Sequence, residues 1–158
     1  MVIEVERSHV VPARAHHVWR DVVDVELHPG FVDCVLGVRT LATPAPGRRI
    51  SAWTIDVHDH PLAWIAAEQF DSRRLELSFR QIEGSFTRLS GRWRINPAGS
   101  RSVIRLAISY ETNDSSVAAA LGEDGRRLGR VMDRWLVAVG AWSTTVGDER
   151  SDRRRRSE

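Results

Sequence analysis

Lysine is missing from this sequence altogether, so all 23 basic residues are arginine. We read that bias as the codon preference of a GC-rich genome rather than as a function. Cysteine occurs once, at Cys34. A lone cysteine excludes an internal disulfide and points to a reducing, cytoplasmic compartment. No stretch of eighteen apolar residues is present, which excludes a helical membrane span. The opening Met1-Val2-Ile3-Glu4-Val5-Glu6 lacks the basic-then-apolar pattern of a signal peptide. There is no glycine-rich phosphate loop, so nucleotide binding has no support. Metal-ligand spacing is also lacking. His58-Asp59-His60 falls in a hairpin turn with no further ligands, and the adjacent His16 and His17 point to different helix faces. Cys34 has no His/Asp relay at a recognisable spacing and reads as a small buried hydrophobe. We therefore expect neither a metal nor a cofactor.

What is there fits one domain. A chain of 158 residues with 42% apolar and 28% charged residues can bury a core and keep a polar surface. The isoelectric point near 9.4 invites a nucleic-acid reading. However, five of the arginines crowd into the last twelve residues with four acids, leaving 18 basic against 17 acidic residues in the body. A neutral body is a poor footprint for DNA or RNA. The expected division is a folded unit over 1–146 and a disordered, arginine-rich tail over 147–158.

Hydrophobic periodicity orders the chain. Val2 to Val11 predicts a strand, and Pro12 then opens a helix over Ala13–Val25 with Ala15, Val18, Val22 and Val25 on one face. His28-Pro29-Gly30 breaks that helix, and Phe31 to Cys34 forms a short turn. Six period-two runs follow: Val35–Thr43, Arg49–His58, Leu62–Asp71, Arg74–Glu83, Phe86–Asn96 and Ser102–Glu111. Short turn signals between them imply an antiparallel meander. After the capping cluster Asn113-Asp114-Ser115-Ser116, one long helix is predicted over Val117–Val146, with a break near Gly122–Gly125. The fold class is α+β.

Alternation sorts the strand residues into two faces. One parity holds Trp53 and Ile55, then Trp64, Ala66 and Glu68, then Leu77 and Phe79, then Leu89 and Trp93, then Ile108 and Tyr110. The other is mostly polar, with Arg74, Arg80, Arg88, Arg92 and Arg94. The apolar face must be covered by the helices, chiefly by Leu128, Met132, Trp135 and Val139 of the long one. A curved sheet of six or seven strands offers more apolar area than one helix fills, and the shortfall predicts a cavity or a bound ligand.

Val10-Val11-Pro12-Ala13 followed by Val18-Trp19, Asp24, Pro29 and Phe31 resembles the START-like (Bet v 1, SRPBCC) polyketide cyclase/aromatase and coenzyme Q-binding families. So does Arg80-Gln81-Ile82-Glu83-Gly84-Ser85-Phe86 running into Leu89-Ser90-Gly91 and Trp93. The resemblance implies a helix-grip fold around a cavity for a hydrophobic, often aromatic, ligand. It also implies chemistry resting on a pocket arginine, a tyrosine or histidine, and water. Here Ala67 or Glu68 stands near where that arginine is expected, and Arg88 near the tyrosine or histidine.

Three residues are candidates for catalysis. Glu68 shares its face with aromatics and would act as general acid or base if desolvated and unpaired; an outward bulge or a partnering arginine would remove that role. Arg88 would supply a fixed cation if a bulge near Gly84–Ser85 turned it inward. Tyr110 could donate to a ligand carbonyl or cap a core group. Phe31, Trp53, Trp64, Phe79 and Trp93, with Met132 and Trp135 of the long helix, are the expected ligand contacts. Three functions stay open. One is cyclase/aromatase-like aldol closure and dehydration of a polyketide in a bacterial natural-product pathway. The second is non-catalytic carriage or sequestration of a lipid, quinone or reactive product (self-resistance). The third is an interaction module using the arginine-rich outer face. Either a monomer or a homodimer is compatible with the sequence.

Overall fold

The computed structural model describes residues 1–146 in full and the backbone of the last helix as far as Arg156. The disordered tail expected over 147–158 lies outside the fully described residues. The chain runs β1 (Ile3–Val11), α1 (Ala15–Val23), a 3-10 segment (Val25–Gly30), β2 (Val35–Ala45), β3 (Arg48–Val57), β4 (His60–Asp71), β5 (Glu76–Gly84), β6 (Arg88–Ala98), β7 (Arg101–Glu111), α2 (Ser115–Leu121), a 3-10 turn (Glu123–Gly125) and α3 (Arg126–Arg156). The strands form one antiparallel seven-stranded sheet in the order β1-β7-β6-β5-β4-β3-β2. The first strand pairs with the last, with Ile3 opposite Tyr110 and Val11 opposite Ser102. This is the α+β helix-grip arrangement.

The inward parity predicted from alternation is the buried one. Trp53, Ile55, Trp64, Ala66, Leu77, Leu89, Trp93, Ile104, Leu106 and Tyr110 are all buried. They meet Val18 and Val22 of α1 and Leu128, Met132, Trp135, Leu136 and Val139 of α3. The β3–β4 hairpin turns at His58 and Asp59, whose φ values of 53° and 62° are the left-handed pair that a tight two-residue hairpin needs.

Two helix expectations shift. Helix α1 begins at Ala15, because Arg14 (φ −68°, ψ 147°) is still extended. It stops at Val23, where Asp24 (ψ 67°) leaves helical space. Pro29 does not stop the coil there but sits inside the 3-10 segment that follows. The long helix is interrupted where glycine suggested. Asp114 caps α2 by accepting from the Ser116 and Val117 amides, and the chain then turns through positive φ at Gly122, Asp124 and Gly125. Gly125 is required twice over. Its φ is 73°, and a Cβ there would lie 2.7 Å from Val5 Cγ2 and 3.0 Å from the Tyr110 hydroxyl. Gly91 serves the interior differently, because any Cβ on it would overlap the Phe79 ring.

Candidate ligand site

Four tryptophans stand at the centre of the space between sheet and α3. Trp53 and Trp64 are cross-strand partners on β3 and β4, with nearly parallel rings 6.1 Å apart. Trp135 reaches down from α3 to within 5.5 Å of Trp53 and 5.4 Å of Trp93. Phe86 closes the far side, edge-on to Trp64 at 6.2 Å. Offset and edge-to-face pairs of this kind add about 0.5–1.5 kcal/mol each beyond simple burial. The residual space they enclose, which Leu77, Phe79, Leu89 and Leu128 also line, is about 30 Å³. That is room for no more than a water or two. The large void expected from the sheet's area is thus occupied by indole rings, and a ligand must part them.

One wall of this apolar space is charged. Glu68 lines it and is buried, yet it is not alone. Arg49 Nε donates to Glu68 Oε1 at 3.1 Å and Arg49 Nη2 to Oε2 at 3.0 Å, a bidentate fork. Ser51 Oγ donates to Oε1 as well, and Trp53 Nε1 donates to Ser51 Oγ at 2.7 Å. Arg49 Nη1 donates to the Val23 carbonyl at 2.7 Å, tying the end of α1 to the sheet. The guanidinium also lies 5.5 Å over the Phe70 ring. Of the alternatives weighed at Glu68, the structure shows the partnering arginine, and the carboxylate is not the unpaired one that a general acid or base would need. Arg49 and Ser51 escaped the sequence reading although they share the parity of Trp53 and Ile55. Extending that alternation to polar side chains was the available signal.

His28 is the third residue overlooked. It is fully buried near the end of the 3-10 segment, ringed by Phe31, Trp53, Trp93 and Trp135. Trp135 Nε1 donates to His28 Nδ1 at 3.0 Å, so Nε2 must carry the proton, and it lies 2.9 Å from the Asp21 carbonyl it donates to. Burial drives its pKa down to about 4, against the opposing pull of that backbone bond. At neutral pH it is an uncharged imidazole that fixes the Trp135 indole. Its place three residues after the buried Val25 was the signal.

The remaining candidates separate. Trp53, Trp64, Phe79, Trp93 and Trp135 come together around the interior space. Met132 is fully buried in the core under α3 but does not line that space. Phe31 stacks on Trp142 of α3, rings 4.9 Å apart and 2° from parallel, outside the lining. Tyr110 is buried against Phe86 and beside Gly125, with its pKa raised by desolvation and then by Asp124. It too stands apart from the lining. Arg88 takes the outward alternative, since the bulge that would turn it inward is not at Gly84–Ser85. The bulge falls at Ile82, between the Ile65–Glu83 and Ala66–Gln81 pairs, and leaves β6 in register. Leu89 points inward and Arg88 is exposed on the solvent side, opposite Glu111 in β7. Burial pushes the Cys34 thiol up to about 11, which makes it a poor nucleophile.

On the solvent side a broad groove of about 1020 Å³ crosses the sheet, with Arg48, Arg80 and Arg92 among its walls. Among the described residues no group of three or more His, Cys, Asp or Glu could hold a metal, and no helix is long and apolar enough to cross a membrane.

Comparison with known proteins agrees with this architecture. The chain is similar to a protein of Thermus thermophilus, TTHA0849, at 21% identity, over 90% of this chain and 98% of that one, with a TM-score of 0.81. It is similar to the Zhui aromatase/cyclase from Streptomyces sp. R1128 at 22% identity, over 91% and 94%, with a TM-score of 0.77. A START superfamily protein from Mycobacterium smegmatis matches at 17% identity, over 91% and 99%, with a TM-score of 0.79. A comparison with curated proteins finds no match. These structural likenesses speak for the fold alone, but residues 11–149 also match the family model for polyketide cyclase/dehydrase and lipid transport. With that match spanning most of a helix-grip sheet closed by its long helix, the chain belongs to the polyketide cyclase/dehydrase and lipid transport family.

Proposed function

We propose that this protein binds a hydrophobic aromatic or polyketide molecule between the sheet and α3, and that it shapes cyclisation there in the manner of a cyclase/aromatase. The observation that carries the reading is the cluster of Trp53, Trp64, Trp93 and Trp135 around one charged group, Glu68. Flat indole faces suit a flat or conjugated guest, and the family supplies hydrophobic small molecules as the substrate class. Confinement alone contributes to rate, since holding a flexible chain in one near-attack geometry removes several kcal/mol of barrier. The working setting is the bacterial cytoplasm, within natural-product biosynthesis, as a monomer or homodimer.

A second reading, a non-catalytic carrier or sequestering protein, draws on the bonding of Glu68. Its carboxylate is committed to Arg49 and Ser51, and Arg88 and Tyr110 lie off the space. The two readings part in one experiment. Protein purified gently from its host is examined by native mass spectrometry, and the co-purified molecule is then offered as substrate. Turnover that Glu68→Gln or Tyr110→Phe abolishes, with affinity kept, supports the cyclase. Binding without turnover, weakened only by Trp93→Ala, supports the carrier. No bound molecule, and no tryptophan quenching by polyketides, quinones or fatty acids, overturns both.

A further inference from the structure

The charge and bonding of the wall at Glu68 restrict which guests the interior takes. Among the described residues, Glu68 is the only charged side chain lining the space. Its Oε1 already accepts from Arg49 Nε and Ser51 Oγ, whereas Oε2 accepts from Arg49 Nη2 alone. A carboxylate oxygen has two lone pairs, so Oε2 retains one acceptor site. Among the described residues the cation beside Glu68 is Arg49, which is committed to that pair and does not line the space. All three nitrogens of Arg49 are engaged, with Glu68 and with the Val23 carbonyl. His28, the imidazole among the rings, is neutral and bonded through both nitrogens. A paired carboxylate facing an apolar space still offers its free lone pair to a hydrogen-bond donor, whereas a guest anion there would be desolvated with no cation of its own. A buried ion pair also adds little to stability over apolar residues of equal size, so stability alone gives no reason for one here.

We propose that the interior selects neutral aromatic molecules carrying a hydroxyl, phenolic or enolic, which donate to Glu68 Oε2, and that it rejects carboxylate-bearing lipids and aromatic acids. Glu68 is on this account a specificity-determining residue that touches the guest. The proposal rests on the interior binding reading above and goes beyond it in naming the guest's polar group.

The test is calorimetric titration of the protein with 2-naphthol, 2-methoxynaphthalene and 2-naphthoate at pH 7. These share one ring system and differ in offering a donor, no donor, or an anion. The wild type is expected to bind 2-naphthol about tenfold more tightly than 2-methoxynaphthalene, the worth of one hydrogen bond to a charged acceptor. It should bind 2-naphthoate most weakly. In Arg49→Met/Glu68→Leu the first preference should shrink to within about twofold, and the penalty on 2-naphthoate should fall with it. Glu68→Gln keeps the shape and can turn an amide donor to the guest, so 2-methoxynaphthalene should gain on 2-naphthol; this variant stands in should the double one not fold. Equal binding of the two neutral probes, tightest binding of 2-naphthoate, or preferences unchanged in the variants overturns the proposal and leaves interior binding intact. Failure of all three probes to bind overturns the interior reading itself, and the proposal with it.

Discussion

Removing either half of the Arg49–Glu68 pair should be far more damaging than removing both. The side chains are 10% and 2% exposed, so solvent screens the pair little. In Glu68→Leu the guanidinium loses both fork bonds and stays largely enclosed, and Ser51 Oγ loses its acceptor. In Arg49→Met the carboxylate is left with Ser51 alone. Breaking a buried pair on one side costs about 3–5 kcal/mol, whereas replacing both members with apolar residues is close to neutral. The double variant Arg49→Met/Glu68→Leu gives up the tie to the Val23 carbonyl and the Ser51 Oγ acceptor, about 1 kcal/mol each. For a domain of this size each kcal/mol moves the melting midpoint by about 2–4 °C. The single variants should therefore melt roughly 6–20 °C below the wild type and the double variant within about 8 °C of it. Guanidinium unfolding of all four proteins, followed by tryptophan emission, gives the cycle directly. If the double variant loses as much as the singles combined, or the singles lose under about 1 kcal/mol, the pair is not the coupled buried unit described.

Other consequences can be checked separately. His28 is buried uncharged, its pKa lowered from 6.5 to about 4, so the unfolded chain binds more protons between those values and stability falls as pH drops through them. Between pH 7.5 and pH 5 this group should remove about 2 kcal/mol, a loss that denaturant curves should show reduced in His28→Gln. Gly125→Ala should cost about 1–3 kcal/mol, from left-handed strain and the approach to Val5 and Tyr110, whereas Gly99→Ala, in open space at a similar φ of 69°, should show the strain alone. Arg88→Ala, on the exposed face, should change stability by no more than about 0.5 kcal/mol and leave ligand affinity unaltered.

Much of this fold was legible because the strands alternate cleanly. Trp53, Trp64, Leu77, Leu89 and Trp93 could be assigned to one face from spacing alone, and the sheet buries that face. The break at Gly122–Gly125 was legible for a comparable reason, since glycine permits the positive φ that a kink between two helices needs. Glu68 was placed inward with a partnering arginine among its alternatives, but Arg49 and Ser51 were not read, although the same alternation places them beside Trp53. A hydrophobic pattern identifies a face by its apolar members, and a buried ion pair looks like solvent-facing charge until its partner across the strand is known. His28 was hidden by Pro29 and Gly30, which read as a chain break while the segment coils on as a 3-10 turn. Cavity size lay further out of reach. Sheet area minus helix area predicted a void, but four indoles meeting at 5.4–6.1 Å fill it, a matter of rotamers rather than of pattern.

The most direct test of the central claim is the set of six indole N–H signals in a ¹⁵N-labelled sample titrated with a planar aromatic alcohol such as 2-naphthol. The account predicts saturable shifts of the Trp53, Trp64, Trp93 and Trp135 signals, with that of Trp19 on α1 unmoved. Shifts confined to the solvent face of the sheet around Arg80 and Arg92, with those four indoles silent, would contradict it.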